Sequence, residues 1–288
     1  MGKAAKFLYL LSGRSVPLLD EYSGAAAAYS LRSLTASSTT NVVKVRRSGD
    51  DAELDFTADK VSDGTLAAWV VAGGGTENGL VTTWYDQSGN ANNAIQATAA
   101  NQPKIVSSGT LVTENGKAAL DFDGTDDFLS KSTSITNVSA VSGFAVNKLN
   151  QSPSTLFRRL LLLHETGSDY QTGFYLGSIS NSDEGLTLFR HASPFNTKGG
   201  DITSQNLLTG IAVSGSDETL YQNGTEIASN SAGSGSMSSV VIKIGSNYNA
   251  SDEYWIGTIQ EVVFYTIDQS ANRTGIEANI NAHYNIYS

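Results

Sequence analysis

The chain has 288 residues, a formal net charge of −10 at pH 7 and no cysteine. An acidic chain repels a phosphate backbone, and no basic cluster is longer than Arg46-Arg47 or Arg158-Arg159, so nucleic acid is not an expected partner. The lack of cysteine excludes disulfides and thiolate metal ligands, and no stretch approaches the ~20 apolar residues of a membrane-spanning helix, so we expect no membrane insertion.

Residues 1–17 are predicted to form an N-terminal arm that precedes one domain, residues 18–288. Lys3 and Lys6 stand before a short apolar run at 7–11, but the run is too short for a signal peptide and no small-residue cleavage site closes it. The alternative for the arm is an edge strand on the domain's own sheet. We therefore expect a soluble protein that is made without classical export.

The first third of the domain mixes short helices with strands. An acidic start followed by an alanine run predicts an amphipathic helix over 18–34. A hairpin is expected from 42–47 and 53–56, then a short helix over 64–70. Residues 80–85 are strongly β-prone and run into a polar turn at 86–90.

The segment 118–129 predicts the opening strand of a sandwich. Leu120 and Phe122 alternate with Asp121 and Asp123 before a turn at Gly124, which is typical of a strand with one buried face.

Closely spaced strands without intervening helices fill the rest of the domain, which argues against a parallel α/β sheet. Asn223-Gly224 predicts a two-residue hairpin, because these residues accept the positive φ angles of a type I′ turn. Ser270 is expected to cap a final helix that carries Ile276, Ile280 and Tyr284 on one face. Strands are expected near 143–146, 159–164, 173–176, 186–190, 210–213, 219–222, 225–228, 240–244 and 255–265.

Several sequence blocks resemble known families. AAAAYSLRSL (25–34), VVKVRRSGDDAELDF (42–56), VTTWYDQSGNANNAIQ (81–96) and QPKIV (102–106) resemble, in this order, the catalytic domain of arabinofuranosidase B enzymes. They look still more like non-enzymatic relatives among bacteriophage structural proteins. The second half, with AALDFDGTDDFL, YQNGTEIAS and WIGTIQEVVFY, is similar to laminin-G and concanavalin A-like domains. The resemblance spans residues 20–287 and implies an all-β, concanavalin A-like jelly-roll β-sandwich with a few short peripheral helices.

The resemblance also allows a test for an active site. A retaining glycosidase needs two carboxylates about 5 Å apart. The acid/base aspartate of the arabinofuranosidases stands in a Gly-Gly-Asp-Asn stretch, and the matching stretch here places Asn247 at that position. An amide cannot deliver a proton as a carboxylic acid does, and residues 188–192, near the expected nucleophile, offer no carboxylate. The sequence therefore predicts no catalytic residue and a protein that is not an enzyme.

Two groups of polar residues are candidate binding sites. Asp86, Gln87, Asn90 and Asn92 could hydrogen-bond a glycan, and the alternative is that they satisfy the backbone of their own turn.

Asp121, Asp123 and Asp126 offer oxygen ligands of the kind that calcium prefers, and the alternative is a solvated strand end and turn. No other cofactor and no metal site at the histidines are expected.

The main functional expectation is a non-catalytic bacteriophage virion structural protein, such as a capsid decoration, head fibre or tail component, at the particle surface. Such a protein would bind other virion proteins through its arm, form a homo-oligomer and contact a host-surface polysaccharide. The alternatives are a secreted, arabinofuranosidase-like glycoside hydrolase and a free carbohydrate-binding lectin module, both of which would be extracellular.

Overall fold

Antiparallel pairing dominates the structure of this chain. The computed structural model describes residues 15–37, 39–72, 74–150, 157–165, 173–178, 187–190, 193–196, 203–231 and 235–288. The helices are α1 (Leu18–Glu21), α2 (Ala58–Ser62), α3 (Thr65–Val71) and α4 (Arg273–Tyr284). The strands are β1 (Ala27–Ser30), β2 (Asn41–Arg47), β3 (Glu53–Thr57), β4 (Gly79–Trp84), β5 (Ala94–Ile95), β6 (Lys104–Ser107), β7 (Thr110–Leu111), β8 (Thr113–Glu114), β9 (Lys117–Ala118), β10 (Leu120–Asp123), β11 (Leu129–Ser132), β12 (Ala140–Leu149), β13 (Arg158–His164), β14 (Gly173–Ser178), β15 (Thr187–Arg190), β16 (Ser193–Asn196), β17 (Asn206–Val213), β18 (Asp217–Gln222), β19 (Thr225–Ser231), β20 (Val241–Ile244) and β21 (Ile256–Tyr265).

Two sheets form the sandwich. The first has the order β19-β18-β17-β12-β21, with β1 and β10 both paired to the outer side of β21. The second has the order β14-β13-β20-β11-β5-β4-β2-β3. Strand β6 pairs with both β4 and β10 and so joins the two sheets at one side. The fold is the all-β, concanavalin A-like jelly-roll β-sandwich that the sequence predicts.

The strands β1, β12, β17 and β21 of the first sheet divide their side chains between two cores, because successive residues of a strand point to opposite faces. On β21, Val262 packs between the sheets, whereas Val263 belongs to a second core on the outer face. That second core also contains Ile276, Ile280 and Tyr284 of α4, so the predicted common face of the final helix packs against the sheet. The helices therefore cover the outer face of the first sheet.

Two local predictions are wrong. The predicted helix over 18–34 is limited to α1, and the alanine run forms strand β1 instead. Ala27 packs between the sheets and Ala28 packs against the helices, so the small side chains fit a strand that is buried on both faces. Helix α4 begins after Asn272 rather than at Ser270.

The other expected helices and strands are present in the described residues with shifts of a few positions. Residues 1–14 of the predicted arm lie outside the described residues, so the arm stays a prediction.

A buried ion pair ties the first sheet to the chain's N-terminal segment. Arg32 donates to both carboxylate oxygens of Glu261, at 2.7 and 2.9 Å. Ser30 Oγ and the hydroxyl of Tyr284 also lie 2.8 and 3.2 Å from that carboxylate. Burial alone would raise the pKa of Glu261, but Arg32 and these hydrogen bonds bring the pKa below its usual value. The carboxylate is therefore stable inside the protein only together with its partners.

We predict that Arg32→Leu lowers the free energy of unfolding at pH 7 by about 3 kcal/mol or more, because it leaves a buried charge without its partner. Without Arg32 the pKa of Glu261 should rise above its unfolded value, so the folded variant binds more protons than the unfolded chain, and the loss should shrink as the pH falls from 7 to about 4. Urea unfolding at several pH values measures this. Lys44→Met is the control, because Lys44 pairs with the exposed Glu53 at 3.8 Å and should cost less than about 1 kcal/mol. An equal loss for both variants would contradict the prediction.

Candidate functional site

A row of side chains crosses the outer face of the second sheet, on the side that faces away from the inter-sheet core. The registers place Tyr175, Leu162, Lys243, Ser130 and Ile95 opposite one another on five neighbouring strands. Leu162 and Tyr175 form a small apolar cluster of their own, separate from the core between the sheets. The row therefore presents aromatic, apolar and cationic groups on one face.

His164 lies two residues beyond Leu162 on β13 and so shares its face. Its side chain is buried, its Nδ1 lies 2.9 Å from the carbonyl oxygen of Glu165, and its ring meets the ring of Tyr248 edge to face at 6.2 Å. Burial lowers the pKa of His164, and the nearby charge of Lys243 lowers it further. The Nε2 atom is buried and has no hydrogen-bond partner among the described residues.

Two cations on this face are held against aromatic rings. The ammonium of Lys243 lies 4.7 Å from the ring centre of Phe128, and burial lowers the pKa of Lys243. The guanidinium of Arg159 lies 3.8 Å from the ring centre of Tyr175 and pairs with Glu253 at 2.5 Å. Such stacking fixes the charged groups in place.

Asn247 lies in the loop 245–255, between β20 and β21, and its side chain serves the loop itself. It is 5% exposed, its amide nitrogen donates to the carboxylate of Asp252, and its carbonyl oxygen accepts from the backbone N–H of Ser251 at 3.1 Å. Asp252 itself is exposed. Asn247, at the position that the resemblance assigns to an acid, therefore binds the carboxylate of the neighbouring Asp252.

A second loop, 123–128, faces the first one. Arg158 Nη1 lies 2.8 Å from the carbonyl oxygen of Tyr254 and 3.4 Å from that of Gly124, so it links both loops. The pKa of Tyr254 is raised by burial and by the charges of Asp126 and Asp252, which come from opposite loops. One carboxylate from each loop, Asp126 and Asp252, therefore affects the hydroxyl group of Tyr254.

The predicted calcium ligands are only partly brought together. In the described residues, carboxylate oxygens of Asp123, Asp126 and Asp127 lie within 4.8 Å of one another, and Asp121 lies outside this group. Burial, helped by the charges of Asp123 and Asp126, raises the pKa of Asp127 to about 7, although the hydrogen bond from the Asp123 N–H lowers it. Calcium binding here stays a prediction.

We predict that Asp127→Asn stabilises the protein at neutral pH and not at pH 4. Asp127 ionises near pH 4 when unfolded, whereas its pKa is about 7 when folded, so the folded state binds more protons between these values. Because each pKa unit corresponds to about 1.4 kcal/mol, the wild type should lose roughly 3 to 4 kcal/mol over that range, and the neutral Asn should not. Thermal unfolding from pH 4 to 8 measures the difference. Asp217→Asn, at an exposed position, should show no such trend; a constant difference for Asp127→Asn would refute the assignment.

The predicted glycan ligands of the turn after β4 all have backbone partners from residues 25–34. Asp86 Oδ1 accepts from Ala28 N at 2.9 Å, and Gln87 Oε1 accepts from Leu34 N at 2.9 Å. Asn90 and Asn92 donate to the carbonyl oxygen of Ala26 at 3.2 and 2.9 Å.

Of these four residues, only Asn90 is exposed. These contacts match the alternative role of satisfying backbone groups, and glycan contact by this turn stays a prediction.

We predict that Gln87→Ala lowers the free energy of unfolding by about 3 kcal/mol, because it removes the partners of Leu34 N and of the carbonyl oxygens of Ser30 and Arg32. Chemical unfolding measures this loss. Asn230→Ala, at an exposed position on β19, should change stability by less than about 0.5 kcal/mol. A Gln87→Ala variant as stable as this control would rule out the structural role.

The fold and site define a concanavalin A-like β-sandwich with helices over one sheet and a polar, aromatic surface on the other. The structure is similar to a GH54 α-L-arabinofuranosidase soaked with a cyclic sulfate inhibitor, with a TM-score of 0.65 and 16% identity over 92% of this chain. It is also similar to an arabinofuranosidase complexed with arabinofuranosyl-α-1,2-xylobiose, with a TM-score of 0.63 and 17% identity over 92% of this chain. This chain spans 64% of the length of each. No family model and no curated protein matches the sequence.

These matches correct the prediction that the chain is not an enzyme. Solved structures whose fold covers 92% of this chain include arabinofuranosidases, so the prediction that the chain is not an enzyme, drawn from Asn247, is wrong. The exclusion considered only position 247. In the structure Asn247 binds the carboxylate of Asp252, so the loop keeps an acid five residues later. The same matches provide no link to a virion.

Sequence reasoning missed the group formed by His164, Lys243 and Tyr248. Residues 158–164 read as RRLLLLH, a run without polar alternation, so nothing in it indicates which side chains share the outer face. Only the register of β13 with β20 brings His164 and Lys243 to the same side.

In the described part of the chain no helix has the length and apolar character needed to span a bilayer.

Proposed function

We propose that the protein is an arabinofuranosidase-like glycoside hydrolase whose active site lies where loops 123–128 and 245–255 meet beside the outer face of the second sheet. One observation carries this proposal: Arg158 Nη1 bridges the carbonyl oxygens of Gly124 and Tyr254 and so joins two loops that each carry a carboxylate, Asp126 and Asp252. The shared fold with arabinofuranosidases supports the choice of substrate class.

The two carboxylates fit different roles. The pKa of Asp126 is raised by burial and by the charge of Asp123, so Asp126 is the proposed proton donor to the leaving oxygen. Asp252 is exposed and held by the amide of Asn247, so it is the proposed carboxylate that faces the sugar carbon. Asn247 is then a positioning residue rather than a lost acid.

The outer face offers the groups that bind a sugar. The ring of Tyr248 is suited to packing against the apolar side of a sugar ring, and Lys243 can donate to its hydroxyl groups. The buried Nε2 of His164 can accept a hydrogen bond when Nδ1 carries the proton and donates to the Glu165 carbonyl. A bound hydroxyl group would satisfy a buried atom that otherwise costs stability.

The test compares two substrates, arabinofuranosyl-α-1,2-xylobiose and 4-nitrophenyl α-L-arabinofuranoside. Nitrophenolate leaves without help from an acid, so Asp126→Asn should slow the trisaccharide by about 100-fold or more and the nitrophenyl substrate much less. Asp252→Asn should slow both substrates by about 100-fold or more. Product release measured by chromatography and absorbance gives kcat/KM for each pair.

Glu226→Gln is the matched control, because it removes one exposed carboxylate of β19 on the first sheet, and it should keep full activity. Unfolding curves show that each variant is folded. Full activity of Asp252→Asn would contradict the proposed site. A wild type that binds the trisaccharide without cleaving it would instead support the lectin alternative and refute hydrolysis.

The virion structural role rests only on the resemblance of the N-terminal blocks to bacteriophage proteins. No contact in the described residues favours it over the carbohydrate-active function.

A further inference from the structure

A cavity of about 320 Å³ lies where several peripheral elements meet. Its walls come from residues 31–33, helix α2, the segment 111–118 and the end of α4. No residue of loops 123–128 and 245–255 lines it, and none of the outer-face row does. Its volume is near the lower limit of small-molecule sites, so it suits one small ligand.

The cavity wall is fixed by a tight turn. Asn115 and Gly116 connect β8 and β9 with φ angles of 49° and 70°, which Asn and Gly adopt readily. The side-chain nitrogen of Asn115 donates to the carbonyl oxygens of Tyr284 and Asn285, at 2.9 and 3.2 Å. The hairpin is therefore attached to the end of α4 without any ligand.

The charges that line the cavity cancel. Arg32 is already paired with Glu261 through two hydrogen bonds, so its charge is neutralised within the protein. Lys117 and Asp59 carry one charge of each sign. Burial lowers the pKa of His283 to about 4, helped by the charges of Arg32 and Lys117, so its ring is neutral at physiological pH. An anion and a cation would each meet as much repulsion as attraction.

Free polar groups surround an apolar floor. Lys117, Asp59, Thr113 and His283 make no side-chain hydrogen bond or ion pair with any residue in the described part of the chain, so they are available to a ligand. Leu31, Val61 and Leu111 provide the apolar surface. A neutral imidazole can donate and accept, Lys117 can donate, and Asp59 can accept.

A sugar ring offers the matching pattern, with hydroxyl groups at its edge and C–H groups on its faces. We propose that this cavity binds a neutral sugar unit at a second site, distinct from the proposed catalytic loops. The second site does not depend on hydrolysis at those loops. This second site would hold one part of a glycan on the protein while another part of the same glycan is cleaved or bound elsewhere.

The experiment is a calorimetric and saturation-transfer NMR titration of the full chain with xylobiose, L-arabinose and cellobiose. We expect at least one of them to bind, and Lys117→Ala and Asp59→Ala to weaken its binding by about tenfold each through loss of a charged hydrogen bond. Lys60→Ala is the matched control: it removes an exposed cation of α2 that does not line the cavity, and binding should not change. Unfolding curves confirm that the variants are folded.

Asp252→Asn separates the two proposals. Binding that persists in Asp252→Asn and weakens in Lys117→Ala supports the second site whatever the outcome of the hydrolysis assay. Binding that weakens in Asp252→Asn and persists in Lys117→Ala places the sugar at the proposed catalytic loops and refutes the second site. Failure of all three sugars to bind, or binding of inorganic phosphate instead, also overturns the inference.

Discussion

The structure depends on closing the free edge of strand β1. This strand pairs with β21 on one side only, and an unpaired strand edge leaves backbone donors and acceptors without partners. The turn after β4 supplies them: Asp86 accepts from Ala28 N, and Gln87 donates its own N–H to Ala28 O and its side-chain N–H groups to Ser30 O and Arg32 O. One polar turn from the second sheet thus holds the edge of the first sheet.

Closing that edge also determines where a site can form. Once β1 is fixed, α1 and α4 pack on the outer face of the first sheet through Leu18, Ile276 and Ile280. The outer face of the second sheet carries the row through Lys243 and Tyr175 and the two loops that meet at Tyr254. The fold therefore separates a structural face from a face that can meet a substrate.

The sequence predicts many of the longer strands because several have a local signal, such as the alternation at Leu120 and Phe122 or the Asn223-Gly224 turn. It fails over 25–30, where alanines favour a helix locally but tertiary pairing with β21 decides the outcome. It also fails at the candidate site, because Asp126 and Asp252 are 126 positions apart and their loops are joined only in the fold, through Arg158. A single aligned position, Asn247, could not show that the loop keeps a carboxylate five residues later.

The central claim is that a sugar binds between loops 123–128 and 245–255. A crystal structure of the Asp252→Asn variant with arabinofuranosyl-α-1,2-xylobiose tests it most directly, because the variant should bind the substrate without cleaving it. We predict electron density for the arabinofuranosyl ring beside Tyr248 and within hydrogen-bond distance of Asp126. Density at the turn 86–92 instead, with none between the two loops, would contradict the account.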